Sequence, residues 1–523
     1  MAKIIDRIGE WNPQFYREIK GKLKRRNIIL TVLISLTVQF FCVLPSTSSS
    51  YRSGGGWNWN FNWLPIFHSL NWLLPFCLLM LGVYLIASDL SREQARGTLN
   101  FVRLSPQSSE SILLGKLLGV PILLYFGIAL ALPLHLKAGF AAEIPWFRIL
   151  GVYPLWGGLC GIFYGVALLI ALLPKTQGEN HNQRSTVGVS SLLALMTAPT
   201  LVSAIQYGFA TSIGGLEANL MWFFLTLDGL FAYIWMLGTL CALNTWIWQA
   251  TNRRFRNPNR ALLSKLQSYQ MVFSTQLWLL GFAVPVLANP EADGPGIFGI
   301  VSLFSIAPIE ILMLASLLSP DRQTLLDWTS YRHRQKRQER ALLKDLLLGE
   351  KSPAVAAIAL NLALVALIWL PWLLLISISS VFDTPSAPPV TFLNLLLGLW
   401  MTAAIVLIYT TMNQLVRFYA KTPKQVFALA IPWGFAAFLP LIIAGIFTLS
   451  PEQFPLLWLF SPVPVAGIFY ASTTTLLFGF LGQLGILGLL ARRLHNSLKQ
   501  AGISESKQLL LDAQKERHNP TRN

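Results

Sequence analysis

Long apolar runs are the feature that most constrains this chain. A helix needs about 20 mostly apolar residues to cross a hydrocarbon layer of about 30 Å, and the 523-residue sequence contains twelve such runs. Only 12% of the residues are charged, whereas 54% are hydrophobic, so a soluble globular fold is excluded. The sequence therefore predicts an all-α, polytopic integral membrane protein with about twelve transmembrane helices.

The predicted spans divide evenly between the two halves of the sequence. Those of the first half are Asn27 to Pro45, Leu70 to Ser88, Ser111 to Leu136, Leu150 to Leu173, Thr186 to Phe209 and Gly229 to Trp248. Those of the second half are Tyr269 to Leu287, Ile297 to Leu318, Ala354 to Ser379, Thr391 to Met412, Gln425 to Leu449 and Ala466 to Leu490.

Positive charge is distributed as the positive-inside rule requires. With the N-terminus in the cytosol, the outside loops hold only Arg52, Lys137 and Arg148 of the forty Lys and Arg residues. Both termini are therefore predicted to be cytosolic, and the net charge of +17 indicates contact with membrane lipids and no nucleic-acid binding. The predicted location is the bacterial cytoplasmic (inner) membrane, with an internal membrane as the alternative.

The two halves of the sequence resemble each other weakly. Before the last span of each half stands a similar run, Glu217 to Phe224 and Glu452 to Phe460. Six spans per half would insert both halves the same way round, as two parallel repeats. The predicted domains are an amphipathic N-terminal helix (1–26), a first six-span permease half (27–250), an amphipathic cytosolic linker (251–268), a second six-span half (269–492) with a basic cytosolic insert (320–353), and a cytosolic tail (493–523).

The most informative stretch is Asp89 to Gly119, between the second and third predicted spans. Ser91 followed by Gln94 has the spacing of a capping box, and Pro106 would end the element. A short amphipathic helix over 90–105 is therefore predicted to lie along the cytosolic membrane surface. Gly97 falls inside that helix, where glycine costs about 1 kcal/mol relative to alanine, and this indicates close approach of another backbone.

The ordered motifs of this stretch resemble the signature of ABC transporter permeases of the type-2 export class. They are Glu93, Gly97-Thr98-Leu99, Leu104-Ser105-Pro106 and Leu114-Gly115-Lys116. The resemblance covers the first half, including its amphipathic N-terminal helix, whereas the second half has no Gly-Thr-Leu. In that family the segment is a coupling helix that docks onto a separate cytosolic ABC ATPase, and the resemblance implies such a subunit, acting as a pair, as the partner.

The resemblance implies the permease subunit of an ATP-driven exporter and not an enzyme. No G-x-x-x-x-G-K-[ST] motif occurs in the sequence, so ATP and Mg²⁺ would be bound by the partner ATPase. No catalytic residue, cofactor site or metal site is predicted in this chain. The residues implied to couple to the ATPase are Glu93, Arg96, Gly97, Thr98, Leu99, Leu104, Ser105 and Pro106.

Two sets of polar residues inside the spans are candidates for the translocation path. Glu310 falls about 15 Å from the cytosolic end of the eighth span, and a carboxylate so deep in the membrane is a functional candidate. Thr197, Thr200, Ser203 and Gln206 follow one another along the fifth span. The alternative for each set is structural, namely a hydrogen-bonded packing group for Glu310 and bonds between neighbouring helices for the hydroxyls.

Two further patterns concern packing and anchoring. Gly157, Gly161 and Gly165 form a G-x-x-x-G-x-x-x-G face in the fourth span, which predicts close helix packing.

In the first outside loop Trp and Phe alternate with Asn over 57–63. This pattern is interpreted as an interfacial aromatic anchor, with sugar stacking as the alternative.

Other functions compete with ATP-driven export. A stand-alone secondary transporter would use Glu310 as its coupling group, and its transport would depend on an ion gradient instead of ATP. A non-transporting membrane assembly factor would have no ATPase partner. If the second half is not a true repeat, the chain is expected to dimerise. Neither the substrate nor the ATPase can be identified from the sequence.

The topology gives the first testable prediction. Epitope tags at either terminus, or within the basic segment Tyr331 to Ser352, should be protected from labelling in intact cells, because dense positive charge is retained in the cytosol. A tag in the outside loop between the first two spans, Ser46 to Ser69, serves as the accessible control. Labelling of any of the three cytosolic tags from outside would contradict the topology.

Overall fold

The computed structural model describes residues 9–52, 56–172, 182–214, 221–227, 229–257, 261–287, 298–334, 339–378, 392–420, 425, 439–468 and 470–501. Its helices are α1 (Pro13–Lys22), α2 (Arg25–Val43), α3 (Trp63–Ala95), α4 (Thr98–Arg103), α5 (Ser109–Gly119), α6 (Ile122–Ala141), α7 (Trp146–Ala171), α8 (Asn182–Gly214), α9 (Gly229–Arg256), α10 (Lys265–Ala283), α11 (Ala307–Leu318), α12 (Arg322–Arg334), α13 (Glu339–Leu348), α14 (Val355–Ile378), α15 (Phe392–Tyr419), α16 (Pro455–Leu459), α17 (Val465–Ile468) and α18 (Thr473–Ala501). Its strands are β1 (Thr47–Arg52), β2 (Gly56–Phe61), β3 (Met221–Trp222) and β4 (Leu225–Thr226).

The prediction of an all-α, multi-spanning membrane protein is confirmed. Eleven helices within the described residues are long and apolar enough to cross a membrane. They coincide with eleven of the twelve predicted spans. The remaining prediction, Gln425 to Leu449, falls largely outside the described residues.

Two elements differ from the sequence prediction. The third predicted span, Ser111 to Leu136, is interrupted at Val120 and Pro121, so the spanning helix α6 begins only at Ile122. Proline has no backbone N–H to continue a helix, and α5 is therefore a separate segment. The first outside loop is an antiparallel hairpin of β1 and β2, in which Tyr51 pairs with Trp57.

Contacts divide the chain into two units. The first comprises Met1–Leu220 with Thr226–Asn259, and the second comprises Met221–Leu225 with Arg260–Asn523. In the first unit α3 is central and packs against α6, α7 and α8, while α9 packs against α7 and α2 against α6. In the second unit α14 packs against α10 and α15, and α15 packs against α11 and α18.

The same pairs of spans are in contact in both units. In the first unit the first span packs against the third, the second against the fourth, and the fourth against the sixth. In the second unit the seventh packs against the ninth, the eighth against the tenth, and the tenth against the twelfth. This order of contacts favours the duplication, which stays a prediction.

Glycines of α7 allow α9 to approach closely. A Cβ atom added at Gly161 would overlap the Asn244 side chain, and one at Gly165 would come within 2.5 Å of the Ile247 Cγ2 atom. The amide of Asn244 donates a hydrogen bond of 2.9 Å to the Gly158 carbonyl across the interface. Gly157, by contrast, has nothing within 4 Å of such a Cβ atom, so the packing face runs through 158, 161 and 165.

This difference between neighbouring glycines is testable. Gly161→Ala should destabilise the membrane domain by about 1–3 kcal/mol, because the added methyl group overpacks the contact with Asn244. Gly157→Ala should be neutral or stabilising by up to about 1 kcal/mol, because it removes only the entropic cost of a helical glycine. Thermal unfolding of the purified variants measures both values, and equal effects would contradict the packing described.

Candidate functional site at the junction of the second and third spans

The helix of the second span is longer than a membrane crossing requires. With 33 residues, α3 is about 50 Å long at 1.5 Å per residue, which exceeds a hydrocarbon layer of about 30 Å. Asp89 and Glu93 lie in its last turns, beyond the end of the predicted span at Ser88. The capping-box start predicted at Ser91 is wrong, because that side chain is fully buried inside the continuous helix α3.

Gly97 ends this helix by its conformation. Its φ is +72°, in the left-handed region that glycine adopts without the steric cost that a Cβ atom brings. Its N–H donates to the Gln94 carbonyl at 3.1 Å, which closes the last turn of α3. A Cβ atom at this position would meet nothing within 4 Å. Nothing in the described part of this chain packs closely against Gly97, so close approach of an ATPase backbone at this residue stays a prediction. The predicted helix over 90–105 is two helices joined at this glycine.

The short helix α4 presents apolar side chains on opposite sides. Leu99 is buried at 1% exposure, in the same hydrophobic core as α3. Phe101 and Leu104 are 77% and 83% exposed. The Thr98 hydroxyl donates to the Glu93 carbonyl at 3.1 Å, so α4 is tied back to the end of α3.

The other predicted coupling residues lie around α4. Arg96 is exposed and occupies the C-cap of α3. The hydroxyl of Ser105 donates to the Val102 carbonyl at 2.7 Å, and Pro106 is exposed in the turn that leads to α5. Ser108 caps α5, and its side chain accepts a hydrogen bond from the Ser111 N–H. The structure thus brings the predicted coupling residues together on one junction.

A buried lysine on α5 organises this junction. Lys116 is 1% exposed, and its ammonium lies 2.8 Å from an Asp89 carboxylate oxygen and 2.9 Å from one of Glu93. A third carboxylate, that of Glu18 on α1, lies 3.6 Å away. Oxygens of the three carboxylates lie within 4.8 Å of one another, a spacing that a cation can bridge, and the Lys116 ammonium fills that role.

Two further cations balance the charge of these carboxylates. Arg17 pairs with Glu93 at 2.8 Å, and Lys22 pairs with Glu18 at 3.4 Å. Burial lowers the pKa of Lys116, but attraction to Asp89, Glu93 and Glu18 outweighs burial, so the pKa is raised from its ordinary value. The amine is therefore charged throughout the neutral pH range. We call these six residues, three acids and three bases, the Lys116 cluster.

Small residues of α5 let α1 lie directly against it. A Cβ atom at Gly115 would come within 2.8 Å of the Phe15 nitrogen, and one at Gly119 within 2.6 Å of the Glu18 Cβ atom. The amide of Asn12 donates to the Ser111 carbonyl at 2.7 Å, and Lys22 donates to the Val120 carbonyl at 2.8 Å. The Gly115-Lys116 pair of the motif therefore holds the N-terminal amphipathic helix.

Sequence reasoning placed Glu93 on the surface that meets the ATPase, whereas both of its carboxylate oxygens are engaged inside the protein, by Arg17 and Lys116. It missed the roles of Glu18, Asp89 and Lys116. The sequence did contain a signal for them, because these charged residues stand next to apolar runs. A charge at such a position is costly to bury without a partner.

The polar residues predicted for a path in the fifth span bond locally. Thr197, Thr200 and Ser203 donate to backbone carbonyls of their own helix, at distances of 2.7 to 2.8 Å. The amide of Gln206 donates to the Asn71 carbonyl at 2.5 Å and so ties α8 to α3. These contacts favour the structural alternative for this set.

Glu310, in the second unit, is held by uncharged groups. One of its oxygens accepts from the Thr275 hydroxyl at 2.5 Å and the other from the Gln276 amide at 2.6 Å. Gln276 is fully buried and accepts in turn from the Trp369 indole at 2.9 Å. A π-helical turn at Ser302–Ile306 directly precedes α11, and such turns are frequent at functional sites.

The corresponding junction of the second unit is built differently. Lys265, 2% exposed, donates to the Ser352 hydroxyl at 2.7 Å and to the Leu346 and Pro353 carbonyls at 2.6 and 3.1 Å. In the described part of the chain no carboxylate lies within ion-pair distance of it. Trp328 donates to Asp345 at 2.5 Å and joins α12 to α13.

The Lys116 cluster yields a stability prediction. Lys116→Met should destabilise the membrane domain by about 3–5 kcal/mol, because it leaves partly buried carboxylates without their cation. It should also make α1 sensitive to protease. Lys24→Met, which removes an exposed lysine between α1 and α2, is the matched control and should be close to wild type. Adding Glu93→Gln to Lys116→Met should restore part of the loss, and a single variant as stable as the control would contradict the cluster's role.

Comparison with known proteins bears on the same region. Residues 18–177 match a family model described as ABC-2 family transporter protein. No curated protein and no solved structure matches the chain. The matched residues begin with Glu18 of the Lys116 cluster and include α4, α5 and the first four spans. The first four spans and the junction of this multi-pass membrane protein are therefore similar to the ABC-2 family of transporter proteins.

Proposed function

We propose that this chain is the permease subunit of an ATP-driven exporter, and that a separate cytosolic ABC ATPase docks onto α4. The single observation that carries the proposal is the exposure of Phe101 and Leu104, at 77% and 83%, on the loop assigned to the cytosol. Large apolar side chains exposed in water form the centres of protein interfaces. The ABC-2 family match supports a permease of an ABC transporter.

The surroundings of these two side chains favour a protein partner over the bilayer. Both lie outside the spanning helices, and the exposed polar groups of Arg96 and Asn100 flank them. Polar groups around an apolar centre are the usual anatomy of a protein interface. Leu99 and Thr98 anchor the opposite side of α4 to α3, so the apolar pair is held in a fixed orientation.

The junction can carry movement into the membrane. A displacement of α4 would reach α3 through Gly97 and the Thr98 hydrogen bond, and would reach α5 through the turn at Pro106. Because the Lys116 cluster joins α1, α3 and α5, the three helices would move together. The partner ATPase, acting as a pair, would bind ATP and Mg²⁺ and supply the energy, while this chain forms the path through the bacterial cytoplasmic membrane.

The interface proposal predicts a loss of partner binding. Phe101→Glu and Leu104→Glu should each weaken retention of the ATPase on the purified permease at least tenfold, because a charge is then placed at the centre of an apolar contact. The conservative variants Phe101→Leu and Leu104→Met keep the apolar surface and should retain the ATPase. The measurement is co-purification of the ATPase expressed from the same cells.

A thermal-unfolding scan of each variant controls for folding. Both glutamate variants should unfold within a few degrees of wild type, because the two side chains contact little of the protein itself. Undiminished retention of the ATPase by both glutamate variants would contradict docking on α4.

Glu310 is our candidate for a polar group on the path. Glu310→Gln should lower ATP-dependent transport in vesicles while leaving expression and thermal stability near wild type, because Gln keeps the hydrogen bond to Thr275. Thr275→Val is the paired variant, and it removes the hydroxyl that bonds Glu310 together with its bonds to the Met271 and Val272 carbonyls. Unchanged transport in Glu310→Gln would make the residue a packing group. Transport that is driven by an ion gradient and does not require ATP would instead identify a secondary transporter.

A further inference from the structure

A small basic cavity lies at the C-terminal end of α4, and neither Phe101 nor Leu104 lines it. Its volume is about 150 Å³, and it lies between the turn that precedes α5 and the cytosolic end of α9. The lining residues are Arg103, Gln107, Ser108, Ser109, Ile112, Phe255 and Arg256. A water molecule takes about 30 Å³ of liquid, so the cavity has room for a small polar group.

Arg103 is fixed at the cavity but incompletely bonded. Its guanidinium lies 5.4 Å from the centre of the buried Phe255 ring, a cation–π contact that sets its position. One terminal nitrogen donates to the Asn100 side chain at 3.3 Å. Its Nε atom is shielded from solvent and has no hydrogen-bond partner among the described residues. A shielded guanidinium donor without an acceptor is costly to leave unbonded.

The charge around the cavity is positive. Arg256 lies on its rim and donates to the Ser109 hydroxyl at 3.4 Å. Among the described residues neither Arg103 nor Arg256 has a carboxylate within ion-pair distance. The nearby acid Glu110 accepts from Asn252 at 3.0 Å and does not line the cavity. Burial and repulsion by Arg254 lower the pKa of Arg103. A bound anion would have the opposite effect, because it stabilises the charged guanidinium.

We propose that this cavity binds a phosphate group, held by Arg103 and Arg256. The planar guanidinium fork matches phosphate oxygens better than it matches any neutral group. The Ser108 hydroxyl can supply a further donor, whereas the Ser109 hydroxyl already donates to the Asn252 side chain. Ile112 and Phe255 form an apolar wall, which strengthens the attraction by lowering the local dielectric. Arg103 ends α4, whereas the other lining residues belong to the turn before α5, to α5 and to the end of α9, and neither Phe101 nor Leu104 lines the cavity.

Two sources could supply that phosphate group. An anionic phospholipid of the cytosolic leaflet would bring its headgroup to the cavity from the membrane surface, where basic residues near span ends attract such lipids. A free phosphate would enter from the cytosol. The two differ in whether acyl chains add to binding, which provides a way to separate them.

The test measures binding to the purified full chain in detergent. The probes are dioctanoyl phosphatidic acid, inorganic phosphate and dioctanoyl phosphatidylcholine, the last of these carrying a phosphate without net negative charge on the headgroup. Microscale thermophoresis gives each Kd. Phosphatidic acid or inorganic phosphate should bind saturably to wild type, and Arg103→Gln and Arg256→Gln should each weaken binding at least tenfold, since a charge-assisted hydrogen bond is lost.

Arg92→Gln is the matched control, because it removes one exposed arginine of the same junction without touching the cavity. Its Kd should stay within twofold of wild type. Binding of phosphatidic acid without inorganic phosphate supports a lipid headgroup as the source, and binding of both supports free phosphate. If Arg103→Gln does not fold, the Kd of Arg256→Gln tests the proposal alone. That variant is expected to fold, because the Arg256 side chain is exposed. No binding to wild type, or binding that both cavity variants retain, would overturn the proposal.

Discussion

The ion pairs of Lys116 are the interaction on which the cytosolic side of the first unit depends. A lysine at 1% exposure is tolerated only because the carboxylates of Asp89 and Glu93 lie within 3 Å of its ammonium. Those carboxylates are themselves at the end of a span and need a cation. Each helix of the junction therefore requires the others: α3 supplies two acids, α5 the lysine, and α1 a third acid with two more cations.

This mutual requirement gives the proposed docking helix α4 a rigid base. Isolated short helices such as α4 are marginally stable in water. The conformational entropy lost in forming the first turn exceeds the free energy that its hydrogen bonds provide. Here α4 is held at its start by Gly97 and Thr98, and the Lys116 cluster fixes the helices on either side of it. A rigid base is what a docking element needs if a partner's movement is to reach the spans. Among the described residues of the second unit, the buried Lys265 bonds only to neutral oxygens, in contrast to Lys116.

The sequence was a good guide to the spans and a poor guide to the junction. A membrane span forms because its apolar side chains are more stable in lipid than in water, and this depends on the composition of each segment alone. Eleven predicted spans accordingly coincide with helices. The ends of helices depend on single conformations, such as the positive φ of Gly97. The ion pair of Lys116 with Glu18 joins residues 98 positions apart, which no local pattern reveals. The alternation of aromatic residues with Asn over 57–63 had the two-residue period of a strand, and β2 occupies most of it.

The most direct test of the account is hydrogen exchange of the permease with and without its ATPase. The account predicts that amides of α1 and α5 are protected in the permease alone, because the Lys116 cluster already joins them, and that residues 98–105 gain protection only when the ATPase is bound. Rapid exchange of α1 in the free permease would contradict the cluster as the base of the junction. Protection by the ATPase confined to regions other than α4 would contradict the coupling surface.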